Sequence, residues 1–212
     1  MRQAALLTAL ACLLALPAIA AEAEEEAIAP TKTIVLFNGK DLTGWKIVNG
    51  REGTWKVEDG LIKCAGRPGG YIRTEKAYKN YKFVMEWRFL KKGNSGVLVH
   101  MSGPDKVWPK SIECQGMFQN QGDFFVIGGT ECKEHKGKKG RRVAKKGPHN
   151  EKPLGEWNLY EIVCDGDTVR PYVNGKLMNE ATECSVSSGR ICIQSEGAQW
   201  EARKVVLEPI TK

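Results

Sequence analysis

The clearest alternation of apolar and polar positions runs through Phe83, Met85, Trp87 and Phe89, with Val84, Glu86 and Arg88 between them. A period of two is that of a strand with one face in a core and the other largely wet. The same period recurs at Tyr160, Ile162 and Cys164, and again at Val169 and Val173. Asp165-Gly166 between these runs supplies the positive backbone angle of a tight hairpin, and Asn174-Gly175 supplies it for the next reversal. The stretch from Gly155 to Gly175 therefore predicts a β-meander. Pro171 has no backbone donor, which places its strand near a sheet edge or a bulge.

Further strands follow from the same reading. Thr33 to Phe37 is an apolar strand, Trp45 is expected to anchor a sandwich edge, and Asp59-Gly60 joins Trp55 to Val57 with Leu61 to Cys64 in a hairpin. Tyr71 to Arg73 is short. In Gly96 to Met101, Val97, Val99 and Met101 are expected on one face and Leu98 and His100 on the other. In Ser111 to Gln115, Ile112 and Cys114 point inward and Ser111, Glu113 and Gln115 point away. Phe124 to Ile127, then Ile191 and Ile193 alternating with Cys192 and Gln194, and finally Val205 to Ile210 complete the list. There is no confident helix, repeat or heptad. An all-β sandwich of two antiparallel sheets is the expectation, and 212 residues suffice for one such domain.

The ends and the charge add context. Met1-Arg2-Gln3, an apolar run and Ala18-Ile19-Ala20 describe a secretory signal peptide over residues 1–20, followed by a disordered acidic leader over 21–32 and the domain over 33–212. Export to the periplasm or the extracellular space is expected, with no membrane association once the signal is removed. That compartment permits disulfides among Cys64, Cys114, Cys132, Cys164, Cys184 and Cys192, although each can equally be a small buried hydrophobe. Most of the net charge of +7 is local to residues 133–152. The run has no aromatic residue, so it reads as a long mobile solvated loop, able to serve as a lid, rather than a nucleic-acid site.

Five segments in order carry a resemblance: FNGKDLTGW (Phe37 to Trp45), NSGVLVH (Asn94 to His100), SIECQ (Ser111 to Gln115), GDFFVIGG (Gly122 to Gly129) and GRICIQSEGAQWEAR (Gly189 to Arg203). With the Tyr-Val-Asn-Gly-Lys hairpin, they resemble the 3-keto-disaccharide hydrolase domain family and, more broadly, concanavalin A-like and laminin-G-like jelly rolls. The resemblance implies a two-sheet jelly roll, a carbohydrate substrate and cleavage of a 3-keto-glycoside. Relatives of this type tend to end in Glu-Phe-Arg-Asn, where this chain has Glu201-Ala202-Arg203-Lys204. The last strand is left without an assigned role.

A ketone at C3 acidifies the C2 proton, so one base can remove it and the enolate can expel the C1 substituent, with water adding afterwards. Glu113 and His100 are the expected catalytic pair, either able to act as base when partial burial tunes it. Gln115, Trp108, Lys110, Asn94 and Glu131 are the candidate substrate-binding residues. Lys110, backbone N–H groups of the Gly93 to Gly96 turn, or a divalent metal ion are alternatives for stabilising the enolate. Glu156 and Glu196 sit at turns and read as structural. Trp157 and Trp200 join Trp108 as aromatic platforms, with a core role favoured for any one of them. Zinc-site spacing, Glu-x-Asp-x-x-Glu and Gly-x-Ser-x-Gly are all absent. A non-catalytic carbohydrate-binding module stays open as the alternative, as does the oligomeric state.

Overall fold

The computed structural model describes residues 26–210, so the expected signal peptide lies outside the described residues. The described part of the expected leader is not free chain. Ile28 bridges to Tyr78, its N–H donating to the Ala77 carbonyl at 2.9 Å, and its side chain packs on the core.

Two antiparallel sheets face each other. The first runs in the order β13 (Lys176–Leu177), β12 (Thr168–Val173), β11 (Asn158–Asp165), β6 (Tyr81–Phe89), β15 (Trp200–Pro209), β4 (Leu61–Cys64) and β3 (Trp55–Glu58), with β1 (Ile34–Val35) also paired to β15. The second runs β10 (Arg142–Val143), β9 (Phe124–Ile127), β8 (Lys110–Gln115), β7 (Gly96–Ser102), β14 (Arg190–Ser195), β5 (Gly70–Thr74) and β2 (Trp45–Val48). Alternate residues of both sheets interdigitate between them. Trp87 stacks on Tyr160 at 5.2 Å between ring centroids and meets Phe89 and Trp200 edge-on. Truncating a buried aromatic of this kind costs about 3–5 kcal/mol.

The turns follow their residues. Asp59-Gly60 and Asn174-Gly175 take positive φ at both positions, as a two-residue hairpin loop requires. In the β11–β12 hairpin, Gly166 carries the positive angle and Asp165 pairs with Thr168. Pro171 sits opposite Ile162, near the edge, where the two-residue β13 has already run out.

Three expectations change. In β7 the register slips between Val99 and Ser102, and His100 adopts φ +57°. A bulge puts one extra residue on the strand and reverses the alternation beyond it. Met101 therefore joins Leu98 on the outer face, while His100 is buried edge-on to Tyr81 at 5.9 Å between ring centroids.

The strand expected over 205–210 begins at Trp200. Glu201 accepts from the Arg88 guanidinium at 2.6 and 2.8 Å, Arg203 donates to Glu86 at 2.6 Å, and both arginines lie over the Trp157 ring. The Glu201 to Lys204 departure thus builds the outer face of the first sheet, and Trp157 is covered.

Residues 133–152 carry structure of their own: a 3-10 turn at Lys133–His135 and the edge strand β10. Buried Asp123 holds β10, its carboxylate accepting from the Arg142 side chain at 2.7 Å and the Lys145 N–H at 2.8 Å, and Glu134 ties the 3-10 turn to Thr182. All six cysteines among the described residues are buried free thiols.

Candidate active site

The outer face of the second sheet has an apolar floor of Tyr71, Leu98, Met101, Ile127 and Cys192, flanked by Val48 and Phe125. Strand alternation puts polar side chains into it, among them Glu113 of β8, in register with Leu98 and Phe125, and Gln194 of β14. Between their strands β7 presents Gly96. A methyl at that position would collide with Glu113 Oε1 and with Gln194 Oε1, so the bare glycine makes room for both. Glu113 is 4% exposed and Gln194 2%. Neither oxygen has a protein hydrogen-bond donor, and the same holds for Glu196 Oε2 and Asn94 Oδ1 beside them.

Burial drives the protonation state. It pushes the Glu113 carboxyl up, the neighbouring Glu196 pushes the same way, and Arg141 and a hydrogen bond from Gln194 pull back, leaving it at about 8. A buried carboxylate is disfavoured in a medium of low dielectric, so Glu113 keeps its proton at neutral pH. Glu196 is also raised, first by burial, with Asn94 and Arg141 opposing. It is only partly buried, and it ionises before Glu113.

The rim is built by a strap, residues 103–109. Asp105 accepts from Arg73 at 2.7 and 3.2 Å and from Lys46 at 2.9 Å, and the Tyr71 hydroxyl donates to the Lys106 carbonyl at 2.9 Å. The strap holds Val107 and Trp108 over a cleft completed by Gly69, Gly70, Gln194, Ser195 and Glu196. Trp108 is 43% exposed, an unusual state for a large aromatic ring unless a surface awaits it. Glu196 also lines the adjoining open groove of Gly66, Arg67, Pro68 and Gly197.

Of the candidates read from sequence, Glu113, Trp108 and Asn94 come together here, Asn94 through a bridge to Glu196. His100 does not. The bulge turns it into the core, its Nδ1 lies 3.2 Å from the Val186 carbonyl, and burial pulls its pKa down to about 4. Gln115 has its side-chain oxygen taken by the N–H groups of Gly116 and Met117 at 2.8 and 2.9 Å, so it shapes a turn. Lys110 is exposed and alternates out of phase with Glu113. Glu131 pairs with His135 at 2.7 Å, and His135 in turn meets the Gly140 carbonyl at 2.8 Å. Its contribution to the site is through the segment that carries Arg141.

Glu196, Gln194, Arg141 and Gly96 are the residues that sequence reasoning missed. Gln194 was legible, since Ile191 and Ile193 inward send it outward. Glu196 lies one residue past the strand, where alternation gives no direction.

Residues 32–208 match the family described as the 3-keto-alpha-glucoside-1,2-lyase-like domain. The chain belongs to this family. It is similar to a 3-keto-disaccharide hydrolase of Bacteroides thetaiotaomicron, with 28% identity over 158 residues that cover 64% of this chain and 53% of that protein. The chain thus spans about half the length of that relative. Among solved structures it is similar to a protein classed with the glycosyl hydrolases from Parabacteroides distasonis (TM-score 0.66, 24% identity, 85% of this chain and 94% of that one). A Bacillus licheniformis beta-glucanase shares the jelly-roll fold (TM-score 0.57, 13% identity, 85% and 99% covered).

Among the described residues no group of three or more His, Cys, Asp or Glu stands together. Glu113 and Glu196 are two carboxyls, and the cation that bears on both is Arg141.

Proposed function

We propose that the protein is an exported carbohydrate-active enzyme that cleaves 3-keto-glycosides, 3-keto-disaccharides among them, by C2 proton removal, elimination at C1 and addition of water. One observation carries this reading. Side-chain oxygens of Asn94, Glu113, Gln194 and Glu196 stand without protein partners, Glu113 and Gln194 meeting over Gly96 and Gln194 and Glu196 lining the cleft under an exposed tryptophan. A buried polar atom left unpaired costs about 1–3 kcal/mol. A sugar supplies what is missing: several hydroxyl donors and an apolar ring face for Trp108.

Within this reading Glu113 is the acid. Its proton, retained at neutral pH, is donated as a hydrogen bond to the C3 oxygen as that oxygen gains negative charge. Trp108 supports the sugar and the strap fixes Trp108. The name of the Bacteroides relative supports the substrate class, and the N-terminal sequence supports export. A binding module has no need of a buried carboxyl group, whose burial disfavours folding, and that alternative is set aside.

The test is incubation of the purified protein with a 3-keto-disaccharide and measurement of monosaccharide release. Release establishes the enzyme. Absence of release together with binding of plain oligosaccharides overturns it.

A further inference from the structure

Resting on that reading, we propose that Glu196 is the base that takes the C2 proton, with the buried Glu113 beside it. Three features of its position support this. Among the described residues Glu196 is the only carboxylate lining the cleft under Val107 and Trp108 and also the only one lining the adjoining groove, so it stands where the two spaces meet. Its Oε2 is buried with no protein donor, which leaves a lone pair free to accept a proton. The unpartnered oxygens of Glu113 and Gln194, both more than nine-tenths buried, lie on the same face.

The surroundings hold Glu196 for the task. Asn94, from the segment between β6 and β7, is joined to Glu196 by a backbone β-bridge, and its side chain favours the ionised carboxylate. Arg141, from the segment leading into β10, is the cation in reach and forms no ion pair of its own among the described residues. Arg67 lines the same groove from the β4–β5 connection, and Glu113 faces it from β8. Proximity of one ionised and one protonated carboxyl splits acid from base work, because two neighbouring carboxylates resist ionising together.

The chemistry balances. The C2–H bond breaks, its proton passes to Glu196, and the electron pair forms the C2–C3 double bond with charge on O3, which accepts a hydrogen bond from Glu113. The C3 carbonyl then re-forms, a C1–C2 double bond forms, and the C1–O bond breaks. Glu196 returns its proton to the departing oxygen. Water adds across the double bond, hydroxyl to C1 and hydrogen to C2, giving net hydrolysis.

The experiment compares wild type, Glu196→Gln and Glu196→Ala on a 3-keto-disaccharide, reading monosaccharide release and solvent deuterium incorporation at C2. Both variants are expected to lose exchange and release by about 10²–10⁴-fold, with substrate affinity within a few-fold of wild type. Formate is expected to restore part of the exchange to Glu196→Ala and none to Glu196→Gln, a rescue that a merely structural role does not give. Exchange within threefold of wild type in Glu196→Gln, or no rescue of a folded Glu196→Ala that still binds, overturns the assignment while leaving the enzyme reading intact. A wild-type protein that neither exchanges nor releases overturns both.

Discussion

Glu113 and Gln194 hold their unpartnered side-chain oxygens over a single glycine, Gly96, so the acid's position depends on a missing methyl group. Gly96 has no positive φ, and alanine there is not strained by the backbone. The added methyl must instead displace the two oxygens. Gly96→Ala is therefore expected to lower kcat by about 10²-fold, since a displacement of this size near the reacting atoms is enough. Thermal unfolding should fall by only a few degrees. Unchanged kcat in the variant would show that the oxygens are not held in a productive position.

Burial of Glu113 works against folding above mild acidity. Its pKa is raised from 4.5 to about 8, so the folded chain retains the proton while the unfolded chain releases it. Below about pH 4.5 both hold it and nothing is lost; from there to about pH 8 stability declines as pH rises. Glu113→Gln removes this penalty. It is expected to be more stable than wild type at pH 7, by about 3 kcal/mol at most, and to have lost turnover. The gain should vanish in denaturant titrations at pH 4. A variant less stable at every pH contradicts the proposed burial cost.

Much of this fold was readable as period-two alternation. Phe83 to Phe89, Tyr160 to Cys164 and the Asp-Gly and Asn-Gly turns gave strands and reversals directly, because each is specified by neighbours in the chain. Glu113 was legible for the same reason: Ile112 and Cys114 inward leave it only one way to point. His100 was misplaced because one residue in a left-handed conformation inverts every later position, and nothing in Val99-His100-Met101 announces the bulge. Arg141 was hidden inside a run of lysines. Its selection depends on Asp123 clamping Arg142 and Lys145, a contact between residues nineteen or more positions apart.

Trp108 stands on a strap whose anchors, Asp105 and Lys106, are bonded to Arg73 and Tyr71 of the sheet beneath. If the ring supports a sugar, Trp108→Ala should raise KM by about 10- to 100-fold, the equivalent of roughly 1–3 kcal/mol of stacking. Because the ring touches no reacting atom, kcat should move less than KM. Asp105→Asn, which weakens the anchor without emptying it, should show the same split to a smaller degree. A kcat loss with KM unchanged would assign Trp108 elsewhere.

The six buried thiols of the described residues make a chemical prediction for a chain that begins at residue 26. Burial pushes Cys64 up to about 11 and Cys164 to about 12, so the reactive thiolate is scarce as well as inaccessible. Native protein is expected to resist a thiol reagent for hours. After unfolding in denaturant without reductant, all six should react. Fewer than six would show that a pair such as Cys132 and Cys184, the first of which bears electrostatically on the second, has been oxidised.

Arg141 offers a test in which both limbs of a pH profile must move together. Its positive charge lowers the pKa of Glu113 and of Glu196, opposing the burial that raises them. With Glu196 acting as base, activity is lost as pH falls through its pKa; with Glu113 acting as acid, activity is lost as pH rises through about 8. Removing the cation lets both values rise. In Arg141→Ala the bell-shaped dependence of kcat/KM should therefore shift upward on its acidic and its basic side, with a lower maximum because charge at O3 is less well stabilised. Arg141→Lys, which keeps the charge, should return the bell most of the way. An immobile basic limb in Arg141→Ala would remove Glu113 from the acid role, and an immobile acidic limb would remove Glu196 from the base role.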